Sequence, residues 1–413
     1  MRSFATLAIW SNERIRSKLD WYYKVSNNVL PAKYLICRRI AAPDDVWDMQ
    51  EDELWRLHER LSAEFDQLRG MVRMGRRDLG EEVRPNFLSV KVALTKKILS
   101  HCYFCRWYCR VDRVAGKKLG ACQLGEQSRV SSYFHHTGEE LPIRGTLGSG
   151  TIFFTSCNMR CAFCQNSDIS HDKDNGTVFT PRMLAWAAWL LRMEGCHNVN
   201  FVGGEPTIHL HNIVEAISLL RNFNEFMSNA LIAKADYLPY PMNPRYSDYR
   251  GEFNVPILWN SNMFMSREAL LILRELVDIW LPDFKFGNNR CALWLSRTPW
   301  YLETVSTNHR TIYEWGEDII IRHLVMPGHM ECCTKPVLRW ISENMPDTPV
   351  NVMDQYHPDA YCNPNDPRYD SRYGDMARYP TRDEIYAAYK YAKELGLNFD
   401  DITFEKSLRR VTL

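Results

Sequence analysis

The chain has 413 residues and a formal net charge of +1, with 45% hydrophobic and 24% charged residues. These values are ordinary for a globular protein and leave room for two or three domains, or for one α/β barrel with an added module. The near-zero charge gives no electrostatic support to nucleic-acid binding, and no apolar run approaches the roughly 20 residues that span a bilayer.

The N-terminus, "MRSFATLAIWSNERIRSKL", and the cysteine content bear on the cellular compartment. Early basic and serine residues leave an organelle presequence open, whereas Glu13 and the lack of a long apolar core argue against a secretory signal. Thirteen cysteines are an odd number, and disulfide frameworks are typical of much shorter secreted chains. We therefore expect a reduced, cytoplasmic protein in which tight cysteine clusters bind metal.

Residues 1–100 predict a mostly helical N-terminal region to which we assign no chemistry. One helix is expected in "PDDVWDMQEDELWRLHERL", where Asp44 and Asp45 suit a helix N-terminus, and another in "VKVALTKKILS". We expect this region to pack against the domain that follows it.

A cysteine-rich module is expected at residues 101–148. Within about twenty residues, four thiols fit a knuckle around a metal: Cys102, Cys105, Cys109 and Cys122. Four sulfurs suit a structural zinc ion, and they equally suit an accessory iron–sulfur cluster that passes electrons to a second centre. The sequence leaves zinc and iron open.

Residues 149–400 alternate short apolar runs with helical patterns. The runs have the near-continuous apolar character of parallel strands that are covered on both faces. Six strands are expected, at 151–155, 198–202, 255–260, 277–282, 318–325 and 349–354. Thr180, Ser266 and Thr381 are expected N-caps of intervening helices. Since no strand is followed by a glycine-rich dinucleotide turn, we predict an α/β fold with a partial parallel (β/α)6 barrel rather than an open doubly wound sheet.

Residues 223–254 interrupt this alternation. The segment is rich in Pro, Tyr and Asn, and it is much longer than an ordinary helix-to-strand connection. We expect a functional insertion, such as a cap over the mouth of the barrel.

Every expected strand ends in a loop with polar or glycine residues. In a parallel barrel these loops meet at the C-terminal ends of the strands, where the chemistry of such folds is located. In chain order the loops contain "SCNMRCAFCQN", "GGEP", "NSN", "PDFK", "MPGH" and "DQYHP". The sequence therefore places the candidate site at this end of the barrel.

The first of these loops holds three thiols in a short stretch, those of Cys157, Cys161 and Cys164. Structural zinc takes four protein ligands, and three thiolates without a histidine are unusual for catalytic zinc. A cluster of four irons is usually held by four cysteines, so a set of three leaves one iron open to a substrate or cofactor. The residues favour such a reactive cluster over a structural metal loop or three buried thiols.

This C-x3-C-x2-C spacing, with Phe163 before the last cysteine and "GGEP" one strand later, resembles the signature of the radical S-adenosylmethionine (SAM) superfamily. Residues 85–395 look like the pyruvate formate-lyase activating enzyme-related branch, in stretches such as "GSGTIFFTSCNMRCAFCQN", "VDIWLPDFKFGN" and "NVMDQYHP". The resemblance implies a [4Fe–4S] cluster whose open iron binds SAM. It also implies reductive cleavage of SAM to a 5′-deoxyadenosyl radical, which abstracts hydrogen from a substrate. Most of residues 1–80 and the insertion depart from the family pattern.

By this resemblance the three cysteines bind the cluster and strand-end residues bind SAM. The expected SAM-binding set is Phe163, Asn166, Gly203, Gly204, Glu205, Ser261, Asn262, Asp283, Lys285 and Arg322. The two glycines let a backbone approach a ligand closely. Read alone, the Asp283 and Lys285 pair is equally a plain salt bridge.

Three further residues have weaker assignments. Arg322 and His323 alternate on a strand, so only one can point into the barrel, and the family pattern favours Arg322. Adjacent Cys332 and Cys333 are expected to be thiols that do not share one metal, with hydrogen donation in a radical reaction as the alternative. No residue is assigned to catalysis.

We expect an enzyme, an activating-enzyme-like oxidoreductase or lyase, that uses a [4Fe–4S] cluster, SAM and an electron donor such as flavodoxin or ferredoxin. The residues do not identify the substrate, and the family resemblance implies a glycine on a partner enzyme. The alternatives are radical modification of a small molecule, peptide or RNA, and a non-catalytic iron–sulfur interaction protein. An activase needs an open barrel mouth to admit a folded partner, whereas a small-molecule enzyme is expected to be capped.

Overall fold

Parallel strands form the wall of a partial barrel in the computed structural model, which describes residues 8–221 and 244–404. The strands are β1 (Ser128–His136), β2 (Ser149–Phe154), β3 (Thr177–Phe179), β4 (Val199–Gly203), β5 (Asp248–Tyr249), β6 (Glu252–Phe253), β7 (Ile257–Ser261), β8 (Ile279–Pro282), β9 (Ile321–Leu324) and β10 (Val350–Met353). Strands β2, β4, β7 and β8 pair in parallel in that order, and β9 pairs in parallel with β10. Parallel bridges from Trp280 to Ile319 and from Asp283 to Arg322 connect β8 to β9. The predicted fold class and all six predicted strands are confirmed.

Four strands were missed by the sequence analysis: β1, β3 and the two short strands of the β5–β6 hairpin. Strand β1 pairs antiparallel with β2 and β3 pairs antiparallel with β1, so the sheet extends beyond the barrel wall. Much of β1 is exposed, including Tyr133 and Phe134, so it has neither the continuous apolar run nor the clean alternation that marks a strand. Because β1 lies inside residues 101–148, the cysteine-rich segment and the barrel share one sheet.

The helices surround this sheet. In the described residues they are α1 (Glu13–Lys18), α2 (Asp20–Ser26), α3 (Lys33–Cys37), α4 (Glu51–Arg73), α5 (Phe87–Leu99), α6 (Leu141–Arg144), α7 (Ser167–Ser170), α8 (Pro181–Met193), α9 (Leu210–Leu219), α10 (Arg267–Arg274), α11 (Asn289–Ser296), α12 (Tyr301–Glu314), α13 (Lys335–Asn344) and α14 (Arg382–Glu394). The side chains of Thr180, Ser266 and Thr381 accept the expected capping hydrogen bonds. The helix expected from Asp44 begins instead at Glu51, because the Gln50 N–H donates to the Glu53 carboxylate at 2.8 Å in a capping box.

The N-terminal region closes the N-terminal end of the barrel. One apolar cluster joins it to the strands, and its members include Trp10, Ile15, Leu19, Tyr22, Leu258, Ile279, Leu281 and Ile320. Buried Asp278, just before β8, accepts hydrogen bonds from the Trp21 indole at 2.8 Å and from the Lys33 N–H at 3.0 Å. The expected packing of this region on the following domain is confirmed, and the C-terminal ends of the strands are left for a ligand.

The predicted insertion is only partly described. Residues 222–243 lie outside the described residues, so the cap proposed for 223–254 stays a prediction. The remainder forms a short 3-10 turn at Pro244–Ser247 and the β5–β6 hairpin. Among the helices described above, none has the length and apolar character needed to cross a membrane.

Candidate active site

A cavity of ≈ 360 Å³ opens at the C-terminal ends of the barrel strands. This volume is within the range of about 300–1,000 Å³ typical of small-molecule sites. Its lining includes the whole set expected to bind cluster or SAM, namely Cys157, Cys161, Cys164, Phe163, Asn166, Gly203, Gly204, Glu205, Ser261, Asn262, Asp283, Lys285 and Arg322. The structure therefore brings these residues together, while the ligand of each stays a prediction.

The three cysteines lie on a loop that begins as β2 ends. Ser156 turns the chain away from the strand with a left-handed φ of 63°. Farther along the loop, the Arg160 and Ala162 N–H groups donate to carbonyls at the C-terminal end of α11, at 3.0 and 2.7 Å. These backbone hydrogen bonds hold the loop in place, and its three thiols line the cavity.

Burial dominates the electrostatics of these thiols. It raises the pKa of Cys157 to about 12, with a further contribution from the nearby Glu205 carboxylate. Burial and the Cys164 thiol raise the pKa of Cys161 well above its usual value. Burial also raises the pKa of Cys164, although the Ser170 hydroxyl at 3.1 Å works in the opposite direction. The thiols are therefore protonated in the metal-free chain, and a metal cluster must displace their protons.

The donor set fits an iron–sulfur cluster with one open iron. Thiolates are the ligands that such clusters use, and the described residues of this cavity include no fourth cysteine. The rest of the wall combines polar and apolar surface and leaves space beside the thiols for a second molecule. The sequence-based interpretation of the loop is thus compatible with its surroundings.

Gly203 and Gly204 occupy positions where a side chain does not fit. Gly203 has a φ of 116°, and a Cβ on Gly204 would lie 1.5 Å from the Ser156 carbonyl oxygen. The expected close approach of the backbone is present, but its nearest partner is the start of the cysteine loop. These glycines therefore set the distance between the end of β4 and Cys157.

Glu205 binds its own chain. One carboxylate oxygen accepts from the Thr207 N–H at 3.1 Å, the Thr207 hydroxyl at 2.6 Å and the Ser261 hydroxyl at 2.8 Å. The other oxygen accepts from the Asn262 N–H at 2.9 Å, and the Asn262 amide in turn donates to Cys157 Sγ at 3.5 Å. Burial raises the pKa of Glu205, while these hydrogen bonds favour its ionised form. The geometry assigns Glu205 a positioning role between two strand-end loops.

A charge network forms the opposite wall. Lys285 and Arg322 both pair with Asp283, the latter through Nε at 2.9 Å. Burial opposes ionisation of Asp283, but the two cations outweigh it and lower the pKa of that carboxyl. Burial likewise disfavours the Arg322 guanidinium, yet Asp283 and the acidic pair Glu139 and Glu140 raise its pKa. The plain salt bridge considered for Asp283 and Lys285 is therefore present, and it lies in the cavity wall.

The alternation expected on β9 is confirmed. Arg322 lines the cavity, whereas His323 is fully buried on the other side of the strand. The His323 ring contacts the Phe284 carbonyl at 2.7 Å and the Thr334 hydroxyl at 3.0 Å. His323 is thus a core histidine with both ring nitrogens in contact.

The sequence analysis missed an acidic pair in this cavity. Glu139 and Glu140 are almost completely buried in the connection from β1 to α6. The amides of Asn200 on β4 and Asn351 on β10 donate to them at 3.1 and 2.6 Å. The sequence did contain a signal for this pair, namely one asparagine in each of two otherwise apolar strands. A buried amide requires a polar partner, so each asparagine indicates a polar group nearby.

The upstream cysteines lie on a loop that packs against the cluster loop. Burial, the Cys122 thiol and the thiols of Cys102 and Cys109 raise the pKa of Cys105. The Ala121 N–H, next to Cys122, donates to Cys109 Sγ at 3.3 Å. From the upstream loop, the Trp107 indole donates to the Asn158 carbonyl at 2.7 Å. From the cluster loop, the Ser156 hydroxyl donates to the Cys122 carbonyl at 2.6 Å, and the Arg160 guanidinium donates to the Ala121 carbonyl at 3.3 Å. The two cysteine sets are therefore structural neighbours.

Comparisons with known proteins agree with this geometry. The family model of the Radical SAM superfamily matches residues 151–341. A protein of Methanocaldococcus jannaschii named "Uncharacterized protein MJ0674" is 35% identical over 387 residues, which cover 92% of this chain and 98% of that protein.

Two solved structures show weaker similarity. A domain of pyruvate-formate lyase-activating enzyme from Bacteroides vulgatus has 13% identity and a TM-score of 0.28, over 35% of this chain and 80% of that chain. SuiB from Streptococcus suis bound to S-adenosylmethionine has 13% identity and a TM-score of 0.37, over 59% of this chain and 48% of that chain. The assignment therefore rests on the sequence matches. This chain belongs to the radical SAM superfamily, whose members are enzymes that use a [4Fe–4S] cluster and SAM for radical chemistry.

Proposed function

We propose that this enzyme binds a [4Fe–4S] cluster through Cys157, Cys161 and Cys164, cleaves SAM reductively and abstracts hydrogen from a substrate. The observation that carries the proposal is the convergence of three thiols on one cavity at the C-terminal end of the barrel. When bound, the cluster supplies the electron that splits the sulfonium of SAM and yields the 5′-deoxyadenosyl radical. The chain contributes the binding surface and the exclusion of water.

The cavity wall suits the methionine part of SAM. Lys285 and Arg322 offer positive charge for a carboxylate, while Asp283 and Glu139 offer negative charge for an ammonium group. The carboxylate and ammonium of the methionine part can each pair with a charge of this network, so no buried charge is left unpaired. This pairing limits the free-energy cost of burying the ligand. Buried Phe163, against Phe286 and Tyr356, adds apolar surface beside the cysteines.

The decisive experiment uses anaerobically reconstituted protein reduced with dithionite. We expect iron and sulfide to be bound, an electron paramagnetic resonance signal that changes when SAM is added, and formation of 5′-deoxyadenosine. The triple variant with Cys157, Cys161 and Cys164 replaced by alanine is expected to lose the SAM-sensitive signal and the product. Cys196→Ala, which removes a buried thiol outside the cavity, is the matched control. A cluster that does not respond to SAM would support the non-catalytic alternative instead.

We also propose a second metal centre at Cys102, Cys105, Cys109 and Cys122. Its support is the sequence spacing of the four cysteines, the contact of Cys109 Sγ with the Ala121 N–H beside Cys122, and the packing of their loop on the cluster loop. An iron–sulfur cluster there would be suited to pass electrons inward, and a zinc ion would brace the loop. Iron and sulfide that remain in the triple alanine variant identify the former; zinc that is lost when Cys105 is also replaced by alanine identifies the latter.

Activation of a glycyl-radical partner enzyme is the finer proposal, supported by the motif resemblance over residues 85–395. It includes a protein substrate, an electron donor such as flavodoxin or ferredoxin, and a cytoplasmic location. The test is a glycyl-radical signal in a partner enzyme from the same organism after incubation with the reduced protein and SAM. A source genome without any glycyl-radical enzyme would contradict activation and favour modification of a small molecule, peptide or RNA.

Glu205→Gln is expected to weaken SAM binding about 10-fold or more while iron content stays unchanged, as for other groups that orient ligands indirectly. In either orientation the amide NH₂ would face a backbone N–H that can only donate, that of Thr207 or that of Asn262, so one of these two contacts must be lost. Isothermal titration of the reconstituted protein measures the affinity. Glu215→Gln, at a half-exposed pair with Lys96, is the control, and equal SAM affinity in both variants would remove the positioning role.

A further inference from the structure

A separate group of ligand atoms lies where the segment after β8 meets the turn after β9. Within the described residues, Cys291, His329, Cys332 and Cys333 each place one ligand atom within 4.8 Å of the others. Three of these residues are buried and Cys332 is half-buried. The expectation that Cys332 and Cys333 share no metal did not include Cys291 or His329, which the fold brings beside them.

The spacing of these atoms suits a tetrahedral ion. Zn–S bonds of about 2.3 Å at tetrahedral angles place two sulfurs about 3.8 Å apart, well inside the observed limit. His329 Nδ1 lies 3.2 Å from Cys332 Sγ and 3.8 Å from Cys333 Sγ. One S–H···N hydrogen bond accounts for a single thiol, but it does not account for three sulfurs gathered around one ring nitrogen.

Neighbouring polar groups orient the ligands. The Asp375 carboxylate lies beside the other ring nitrogen of His329, with Oδ2 at 3.9 Å from Nε2, which is longer than a hydrogen bond but places a negative charge on that side of the ring. The Asn288 amide donates to Cys291 Sγ at 3.3 Å and to the Cys332 carbonyl at 2.7 Å. Both sides of the group are therefore held by hydrogen bonds or charge.

The backbone is also shaped around this group. Met330–Thr334 forms a π-helical turn, which is rare and occurs frequently at functional sites. Gly287 lies directly against it, since a Cβ there would be 2.7 Å from the Cys332 carbonyl oxygen and 3.0 Å from Cys333 Cα. The two segments that carry the ligands are thus in close contact.

We propose that Cys291, His329, Cys332 and Cys333 bind one soft divalent cation, zinc, in a site distinct from both other cysteine sets. Three thiolates and one imidazole are a ligand set of structural zinc sites, and four protein ligands leave no position for substrate. The three thiol protons pass to solvent as the ion binds, and no electron is transferred.

The ion would brace the cluster loop from behind. Cys291 is on α11, and the same helix ends at the carbonyls of Leu295 and Ser296, which accept from the Ala162 and Arg160 N–H groups of the cluster loop. A metal that ties α11 to the turn after β9 therefore restricts the helix that holds this loop.

The test is the zinc content of the full chain, purified anaerobically and measured by mass spectrometry of the digested protein. We expect Cys291→Ser and His329→Asn each to hold one zinc per chain less than the wild type. Cys196→Ser is the matched control and is expected to equal the wild type. Zinc bound at Cys102, Cys105, Cys109 and Cys122 would be present in the wild type and in both variants, so it cancels when their zinc contents are subtracted.

Equal zinc in the wild type and in both ligand variants would overturn the proposal. A Cys291–Cys332 disulfide in the anaerobic protein would also overturn it and indicate a redox pair. If the buried Cys291→Ser substitution prevents folding, cobalt replaces zinc in the wild type and in Cys332→Ser, whose side chain is half-buried. We then expect the thiolate-to-cobalt absorption to be smaller in Cys332→Ser, and an unchanged spectrum would refute the site.

Discussion

Gly204→Ala is expected to abolish both retention of the iron–sulfur cluster and SAM cleavage. A Cβ at this position would lie 1.5 Å from the Ser156 carbonyl oxygen and 2.4 Å from its carbon, and both are backbone atoms that no side-chain rotation can move. Because Ser156 precedes Cys157 directly, the cysteine loop must shift to relieve the overlap. Iron and sulfide per chain and the yield of 5′-deoxyadenosine measure the effect.

Gly70→Ala is the control for this substitution. Gly70 lies in α4, and no atom is within 4 Å of the position of its added Cβ. Alanine also favours the helix by about 1 kcal/mol over glycine, so this variant should bind iron and cleave SAM like the wild type. Normal iron content and activity in Gly204→Ala would mean that the cysteine loop adapts easily, contrary to the rigid contact inferred here.

Lys91→Met is expected to lower the free energy of unfolding by about 3 kcal/mol, the low end of the cost of removing one member of a buried ion pair, because Arg274 and the Ser62 hydroxyl still contact Glu275 at 3.3 and 2.8 Å. Lys91 lies on α5 in the N-terminal region, and its ammonium donates to the Glu275 carboxylate at 2.7 Å and to the Ile272 carbonyl at 2.9 Å. Glu275 is fully buried beside the barrel; burial raises its pKa, but Lys91 and His58 outweigh burial and lower it to about 2. A loss of this size is a large part of the roughly 5–15 kcal/mol that stabilises a protein.

The same substitution has a predicted pH dependence. In the wild type the lowered pKa of Glu275 contributes stability above the usual value of 4.5, which is lost as the pH falls towards about 2. In Lys91→Met the largest of the groups that lower this pKa is lost, while Arg274 and the Ser62 hydroxyl remain, so the pKa of Glu275 rises from its wild-type value and the carboxylate contributes less stability above pH 4.5. The difference in the free energy of unfolding between the wild type and Lys91→Met should therefore be largest near neutral pH and become smaller in acid. Urea unfolding at several pH values measures it.

Lys96→Met provides the matched control on the same helix. Lys96 is exposed and its amine lies 3.0 Å from the Glu215 carboxylate, so the loss should be within about 1 kcal/mol at any pH. A similarly small loss in Lys91→Met would show that the N-terminal region does not depend on this buried pair for its attachment to the barrel.

The barrel and the cluster loop were predictable because their signals are local. A strand covered on both faces appears as one short apolar run, and the end of each such strand points to the same edge of the sheet. Cys157, Cys161 and Cys164 are so close in the chain that their spacing alone indicates a shared ligand. The resemblance to the radical SAM superfamily then selected strand-end residues that all line one cavity.

The partners of those residues could not be predicted, because they come from distant segments. Glu205 was expected to contact SAM, yet its carboxylate accepts donors from its own turn and from the loop after β7. Glu139 and Glu140 reach the cavity only because β1, an exposed strand without a clear pattern, pairs with β2. Hydrogen-bond partners depend on which loops the folded sheet brings together, and no local pattern records that.

The group around His329 is the clearest case of a feature that depends on distant segments of the chain. Adjacent cysteines in the sequence indicate nothing about a third thiol about forty residues earlier, since loop-closure entropy permits many such encounters. Cys291 joins them only because β8 and β9 are neighbours and the segments that follow both strands leave the barrel on the same side. Short-range periodicity and spacing are enough to specify the barrel and the three-cysteine loop. The positioning of Glu205, the acidic pair and the Cys291–His329 group emerge on folding alone, because each depends on contacts between segments far apart in the chain.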